Sequence, residues 1–154
     1  MSLFFDVVKI HPNAIIPKKI DGNLGFDLHI VADKDFSTDK KEYILSPGLL
    51  NNNRKLFHTG LTMAIPEGCG VILKDSYELA VKHGIHVLAD VINSSYRNEW
   101  CVCIVNLGKI SYIFTEGDRI CQAIIVPDYK VKFKEVEKLS ETLRGEKGFG
   151  SSGN

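Results

Sequence analysis

Near its end the chain reads LRGEKGFGSSGN, Leu143 to Asn154. Arg144 carries a planar guanidinium fork that matches phosphate. Ser151 and Ser152 offer hydroxyl and backbone N–H donors, and successive N–H groups in such turns make anion-binding nests. Phe149 presents a flat face on which a ring can stack. Gly148 and Gly150 on either side let the backbone approach a ligand closely. Together these residue types make a strap for a phosphorylated aromatic, most naturally a nucleotide. A Gly/Ser-rich end is also what an unstructured terminus looks like, and the stretch alone leaves the two readings level.

The rest of the chain must position such a strap. Short β-branched or aromatic runs dominate: FFDVVKI, FDLHIVA, EYILSPG, GLTMAIPEG, GVILK, HVLADVI, EWCVCIVNLG, SYIFTEGDR, CQAIIVP and VKFKEVEKL. They recur about every ten to twelve residues, the spacing of a sandwich or barrel. Turns are expected at Pro47–Gly48, Pro66–Gly68 and Glu116–Asp118. One stretch breaks the pattern. SYELAVKHG, Ser76 to Gly84, has helix formers in its middle and a glycine stop, and predicts a short helix. The expected fold is all-β and mostly antiparallel, with one short helix, a domain over 1–142 and a flexible arm over 143–154. An arm of that length reaches a neighbouring subunit more easily than the far side of its own domain, which points to an oligomer with shared sites.

At 154 residues the chain is one domain with enough apolar surface to make a core. A formal net charge of zero, with both signs interspersed, argues against a nucleic-acid partner. No run approaches a membrane span, and MSLFFDVVKIHPN does not read as a secretory start. The cysteines are Cys69, Cys101, Cys103 and Cys121. Cys101 and Cys103 alternate along a strand and share a face, where a disulfide between them would be badly strained. No zinc spacing is evident, so reduced structural thiols of a cytoplasmic protein are expected. His83 and His86 read as a helix end and a strand residue, and Trp100 as packing.

Five stretches in order resemble the trimeric dUTP diphosphatases (dUTPases): GFDL at Gly25–Leu28, KDSYELAVKHGI at Lys74–Ile85, DVINSSYRNE at Asp90–Glu99, GDRICQ at Gly117–Gln122, and RGEKGFGSSG at Arg144–Gly153. HTGLTMAIPEG, VNLG and IIVP fit between them, so the resemblance covers nearly the whole chain. GFDL or GDRI alone would mean little; RGEKGFGSSG in the right order is specific.

The resemblance implies a distorted jelly-roll, β-barrel-like subunit in a homotrimer with three sites between subunits. Each site would cleave dUTP to dUMP and pyrophosphate with Mg²⁺ on the triphosphate, supplying dTMP precursor and clearing the nucleotide pool. It implies that Phe149 stacks on uracil and that Arg144, Gly150, Ser151 and Ser152 hold the γ-phosphate end. Tyr96 would pack under the deoxyribose and exclude a 2′-hydroxyl. Gln122 and Ser76 would meet the phosphates. Backbone groups of the hairpin leading into Val91, Ile92 and Asn93 would read the pyrimidine. Asp27 would act on magnesium through water.

The chain departs from the family pattern in two places. The general base, an aspartate in V-I-D-x-x-Y, is replaced by Asn93 in VINSSY. An amide exchanges hydrogen bonds but takes no proton, and losing a general base costs roughly a hundredfold to ten-thousandfold in rate. The family's P-R-S-G falls on DSYE without gaps, or on KDSY with compensating gaps. Both alignments lose the arginine, and the second puts Asp75 near a triphosphate, an unfavourable charge. Asp90 and Asn98 also stand where the family has glycines, and Asp90 would sit poorly in a left-handed conformation.

Three readings follow. The first is a working dUTPase with a rebuilt site, Asp90 supplying the carboxylate. The second is a catalytically weak nucleotide-binding or regulatory relative, including a chain that lends its tail to a partner in a mixed trimer. The third is an engineered exchange at Asn93 that traps substrate, which leaves Lys74–Glu78 unexplained. Changes at Asp90 and Val91 also open the choice of another deoxypyrimidine triphosphate.

Overall fold

The stretch SYELAVKHG folds as its residues suggest. In a computed structural model that describes residues 3–48, 53–143 and 145, helix α1 spans Tyr77–His83. Ser76 is its N-cap in an extended conformation, and Gly84 ends it at φ +67°, its N–H turned back to the carbonyls of Ala80 and Leu79. A left-handed C-cap of this kind favours glycine. Leu79 is the residue that the helix buries, and Glu78 and Lys82 bridge the solvent side at 2.7 Å.

The described residues also form ten strands: β1 Asp6–Lys9, β2 Phe26–His29, β3 Glu42–Leu45, β4 Arg54–Ala64, β5 Cys69–Asp75, β6 Ile85–Leu88, β7 Val91–Ile92, β8 Glu99–Asn106, β9 Tyr112–Thr115 and β10 Arg119–Pro127. They form two four-stranded sheets, β1-β4-β8-β6 and β2-β10-β5-β7, and a two-stranded ribbon, β3-β9. Every pairing is antiparallel. This all-β, antiparallel arrangement with one short helix is the architecture expected from the spacing of the runs, and its jelly-roll-like form is the one the resemblance implies.

Strand β8 shows how alternation builds the core. Trp100, Val102 and Ile104 are fully buried, and Cys101 and Cys103 lie together on the opposite, half-covered face. They pack with Phe57 and Leu61 of β4, Val71 and Leu73 of β5 and Leu28 of β2, so both large sheets share one core. Fully burying such a side chain stabilises by roughly 1.5–3 kcal/mol. Trp100 is packing, as expected.

One expected strand is absent. VKFKEVEKL, Val131 to Leu139, alternates only over its first four residues and runs as irregular chain, with Val131, Phe133, Val136 and Leu139 exposed. Alternation makes a strand only where an edge accepts its hydrogen bonds and a surface covers its apolar face. Among the described residues no strand pairs with this stretch and its apolar side chains stay uncovered. The expected arm over 143–154 lies almost wholly outside them. No helix among the described residues is long and apolar enough to cross a membrane.

Candidate functional site

The site begins with Gly25, which allows β2 to lie against β10. A Cβ there would sit 2.5 Å from the Ala123 carbonyl and 2.7 Å from Gln122 Cγ. Only glycine fits, and the close approach sets Asp27 opposite Gln122. Gln122 in turn stands opposite Lys74 of β5. Residues paired directly across antiparallel strands share a face, so a carboxylate, an amide and an ammonium form one row. Asp27 is half exposed, and its Oδ2 makes a loose 3.4 Å contact with Arg119 Nη1. Lys74 Nζ lies 3.1 Å from Asp90 Oδ2.

Ser76 follows directly. It is buried at the start of α1, and its hydroxyl makes no capping bond to the helix. Asp75, the residue that one alignment places at the missing arginine, is already engaged. Its Oδ1 accepts from the Val87 N–H at 2.7 Å, and its Oδ2 lies 2.8 Å from His86 Nδ1. Its charge therefore pins β6 to β5.

A second group of candidates lies further along β5. Val91 pairs with Ile72 and Ile92 with Val71. Ile92 is buried, Val91 and Asn93 are exposed, and the Asn93 carbonyl accepts from the Tyr96 N–H at 3.0 Å. Tyr96 folds back so that its hydroxyl donates to the Glu99 carbonyl at 3.0 Å. Together with Leu73, Ala89, Trp100 and Cys101, these four residues line a cleft of about 230 Å³. From Lys74 to Val71 is three residues, or roughly 10 Å at strand rise. One chain thus holds the Asp27–Gln122–Ser76 group at one end of β5 and the Asn93–Tyr96 pocket towards the other.

The left-handed residue beside this pocket is Ala89, at φ +54°; neither Asp90 nor Asn98 has a positive φ. The strain anticipated for Asp90 falls one residue earlier. Asp90 instead accepts the Leu73 N–H through its carbonyl at 2.7 Å and spends its carboxylate on Lys74. Arg144, Phe149, Gly150, Ser151 and Ser152 lie outside the described residues.

The family model described as dUTPase matches residues 11–153. The chain belongs to the dUTPase family. A deoxyuridine 5′-triphosphate nucleotidohydrolase of Crocosphaera subtropica is 38% identical over 150 residues, covering 96% of each chain. Its counterpart from Wolinella succinogenes is 39% identical, covering 96% of this chain and 92% of the other. A Staphylococcus bacteriophage 80alpha dUTPase solved with dUPNHPP superposes with a TM-score of 0.80 at 23% identity, over 98% of this chain and 99% of that one. This last likeness shows the fold.

Lys74 and Cys101 are site-lining residues that motif reading passed over. Lys74 is legible only once the register puts it beside Gln122. Cys101 had a signal in the WCVCIV alternation, which turns it away from the core. Burial, with the Glu99 charge second, pushes its thiol up to about 12. Cys121 on β10 is pushed up to about 12 chiefly by its own burial. Neither is a neutral-pH nucleophile.

Proposed function

We propose that this chain hydrolyses dUTP to dUMP and pyrophosphate as a homotrimer with sites shared between subunits. The observation that carries the reading is the cleft in which Asn93 and Tyr96 meet beside the buried Ile92. It has room for a nucleoside, and Val91, Ile92, Asn93 and Tyr96 of its lining come from the family's third motif. The two candidate groups stand at different positions along β5, which supports completion of each site by another copy.

In this reading the pyrimidine is read by backbone groups around Val91 and Ile92, and Tyr96 packs under the sugar. Ser76 and Gln122 meet the phosphates, and Lys74, next to the positions aligned with the family's arginine, supplies positive charge. Arg144, Phe149, Gly150, Ser151 and Ser152 close over the ligand as the arm. Mg²⁺ carried by the triphosphate would neutralise phosphate charge. Asp27 fits a role in holding it, being a half-exposed carboxylate with one loose partner, in the same row as Gln122.

Proton transfer is the weak step. Asn93 can hold the attacking water and a sugar hydroxyl by hydrogen bonds but accepts no proton, so turnover is slow by roughly a hundredfold or more. This favours a second reading, a nucleotide-binding relative that hydrolyses little. Pyrophosphate release from dUTP with Mg²⁺, beside the Asn93→Asp variant and a binding titration, separates the two. Tight binding with slow release, rescued by Asn93→Asp, is expected. Brisk wild-type turnover overturns the general-base argument. Absence of both binding and hydrolysis overturns dUTP as the ligand, and another deoxypyrimidine triphosphate becomes the next substrate to assay.

A further inference from the structure

On the face of β8 turned from the core, three side chains of different donor chemistry converge. His58 of β4 pairs directly with Cys101 of β8, and Cys101 Sγ is 3.6 Å from His58 Nδ1. Glu99 Oε2 is 2.8 Å from the same nitrogen. The three ligand atoms lie within 4.8 Å of one another, and all three side chains are half-buried. Beside them opens a cleft of about 200 Å³ lined by His11, Asp33, His58, Gly60 and Glu99.

The backbone is shaped for this meeting. The β4–β8 register slips between His58 and Thr62, and Gly60 within the slip has φ +67°. Bulges of this kind re-aim side chains. Glu99 Oε1 accepts the Gly60 N–H at 2.8 Å, which fixes the carboxylate and leaves Oε2 on the histidine. Asp33 Oδ2 lies 3.9 Å from His58 Nε2, the ring's far side. The 2.8 Å contact with the Glu99 carboxylate makes Nδ1 the N–H donor in the metal-free protein, so a cation there replaces that hydrogen bond and Nε2 takes the ring proton, facing Asp33. Stapling the bulge needs Glu99 alone; it gives no reason for a thiol against the same nitrogen.

We infer that His58, Glu99 and Cys101 form a binding site for a soft divalent cation of the Zn²⁺ class. One nitrogen, one carboxylate oxygen and one sulfur suit zinc. Its tetrahedral bonds of about 2.0–2.3 Å place N and S ligands roughly 3.5 Å apart and N and O ligands roughly 3.3 Å apart. The Cys101–His58 separation already fits, and the Glu99–His58 contact opens slightly. A hard ion such as Mg²⁺ asks for an all-oxygen shell and is rejected by the thiol. Three protein ligands leave a fourth position, which the cleft gives to water. On binding, the cation displaces the thiol proton to solvent, and the imidazole proton passes from Nδ1 to Nε2 by exchange with water. Cys101 also lines the Asn93–Tyr96 cleft, so the metal site and that pocket share a wall.

The test uses the full-length chain, stripped with a chelator and titrated with Co²⁺ and then Zn²⁺ without nucleotide. One Co²⁺ per chain is expected, with a near-ultraviolet thiolate-to-cobalt absorption that Zn²⁺ abolishes and excess Mg²⁺ does not. Zn²⁺ should also raise the melting temperature of the wild type. Cys101→Ser and His58→Gln should lose the absorption and the shift, and Cys103→Ser, on the same face, should keep both. Glu99→Gln retains an acceptor for Gly60 and should weaken Co²⁺ binding by at least tenfold. Melting curves of the stripped variants check that each is folded. An absent thiolate band in the wild type, or a band that survives Cys101→Ser in folded protein, overturns the site.

Discussion

Lys74 and Asp90 are joined at 3.1 Å, Nζ to Oδ2, on the exposed side of β5 next to Gln122. The pair gives Lys74 a fixed place beside Gln122 and commits the carboxylate, three residues before Asn93, that could stand in for the missing aspartate. Asp90→Asn should therefore leave pyrophosphate release within about threefold of wild type. A fall of a hundredfold, the scale of a lost general base, would assign the proton to Asp90.

Tyr96 is held by its hydroxyl against the Glu99 carbonyl, with the ring facing the cleft of Asn93. Tyr96→Phe keeps the ring and loses one hydrogen bond, at a cost of about 1 kcal/mol in stability. Tyr96→Ala opens the floor of the cleft. Competition binding should show that Ala narrows the preference for dUTP over UTP by tenfold or more and that Phe leaves it nearly unchanged.

Gly25 meets β10 at distances no Cβ tolerates. Gly25→Ala must push β2 from β10 and carry Asp27 away from Gln122. Loss of about 1–3 kcal/mol is expected from overpacking. Weakened dUTP binding in variant protein that remains folded, measured by calorimetry, would tie this glycine to the site.

Glu116 precedes β10 and anchors its entry. It bonds Lys41 Nζ at 2.6 Å, the Ala32 N–H at 3.1 Å and Asn13 Nδ2 at 3.0 Å. The Lys41 bond, with the others assisting against burial, holds its carboxyl below the usual value of 4.5. A carboxyl depressed in the folded state stabilises above its unfolded pKa, and that contribution is lost as pH falls through the lower folded value. Glu116→Gln should melt a few degrees lower near pH 7, corresponding to about 1 kcal/mol. The gap to wild type should close as pH drops below about 4.

What the sequence determined by itself is local. Helix α1 was legible because the formers between Ser76 and Gly84, and the glycine that alone accepts a left-handed cap easily, act within one or two turns. Strand β8 was legible because Trp100, Val102 and Ile104 repeat with the pleat. The family was legible because its motifs keep their order.

Only the tertiary structure decided which segments find partners. Val131–Leu139 opens with strand-like alternation and stays unpaired among the described residues, because pairing belongs to the neighbour as much as to the segment. Asp75 looked like a charge set against phosphate, and its oxygens went instead to His86 and Val87, eleven and twelve residues on. His58 meets Glu99 and Cys101 across 41 and 43 residues through a register slip at Gly60. Propensity and periodicity act over a few residues; register, bulges and the direction of a side chain follow from packing across the whole sheet, where no single stretch carries the information.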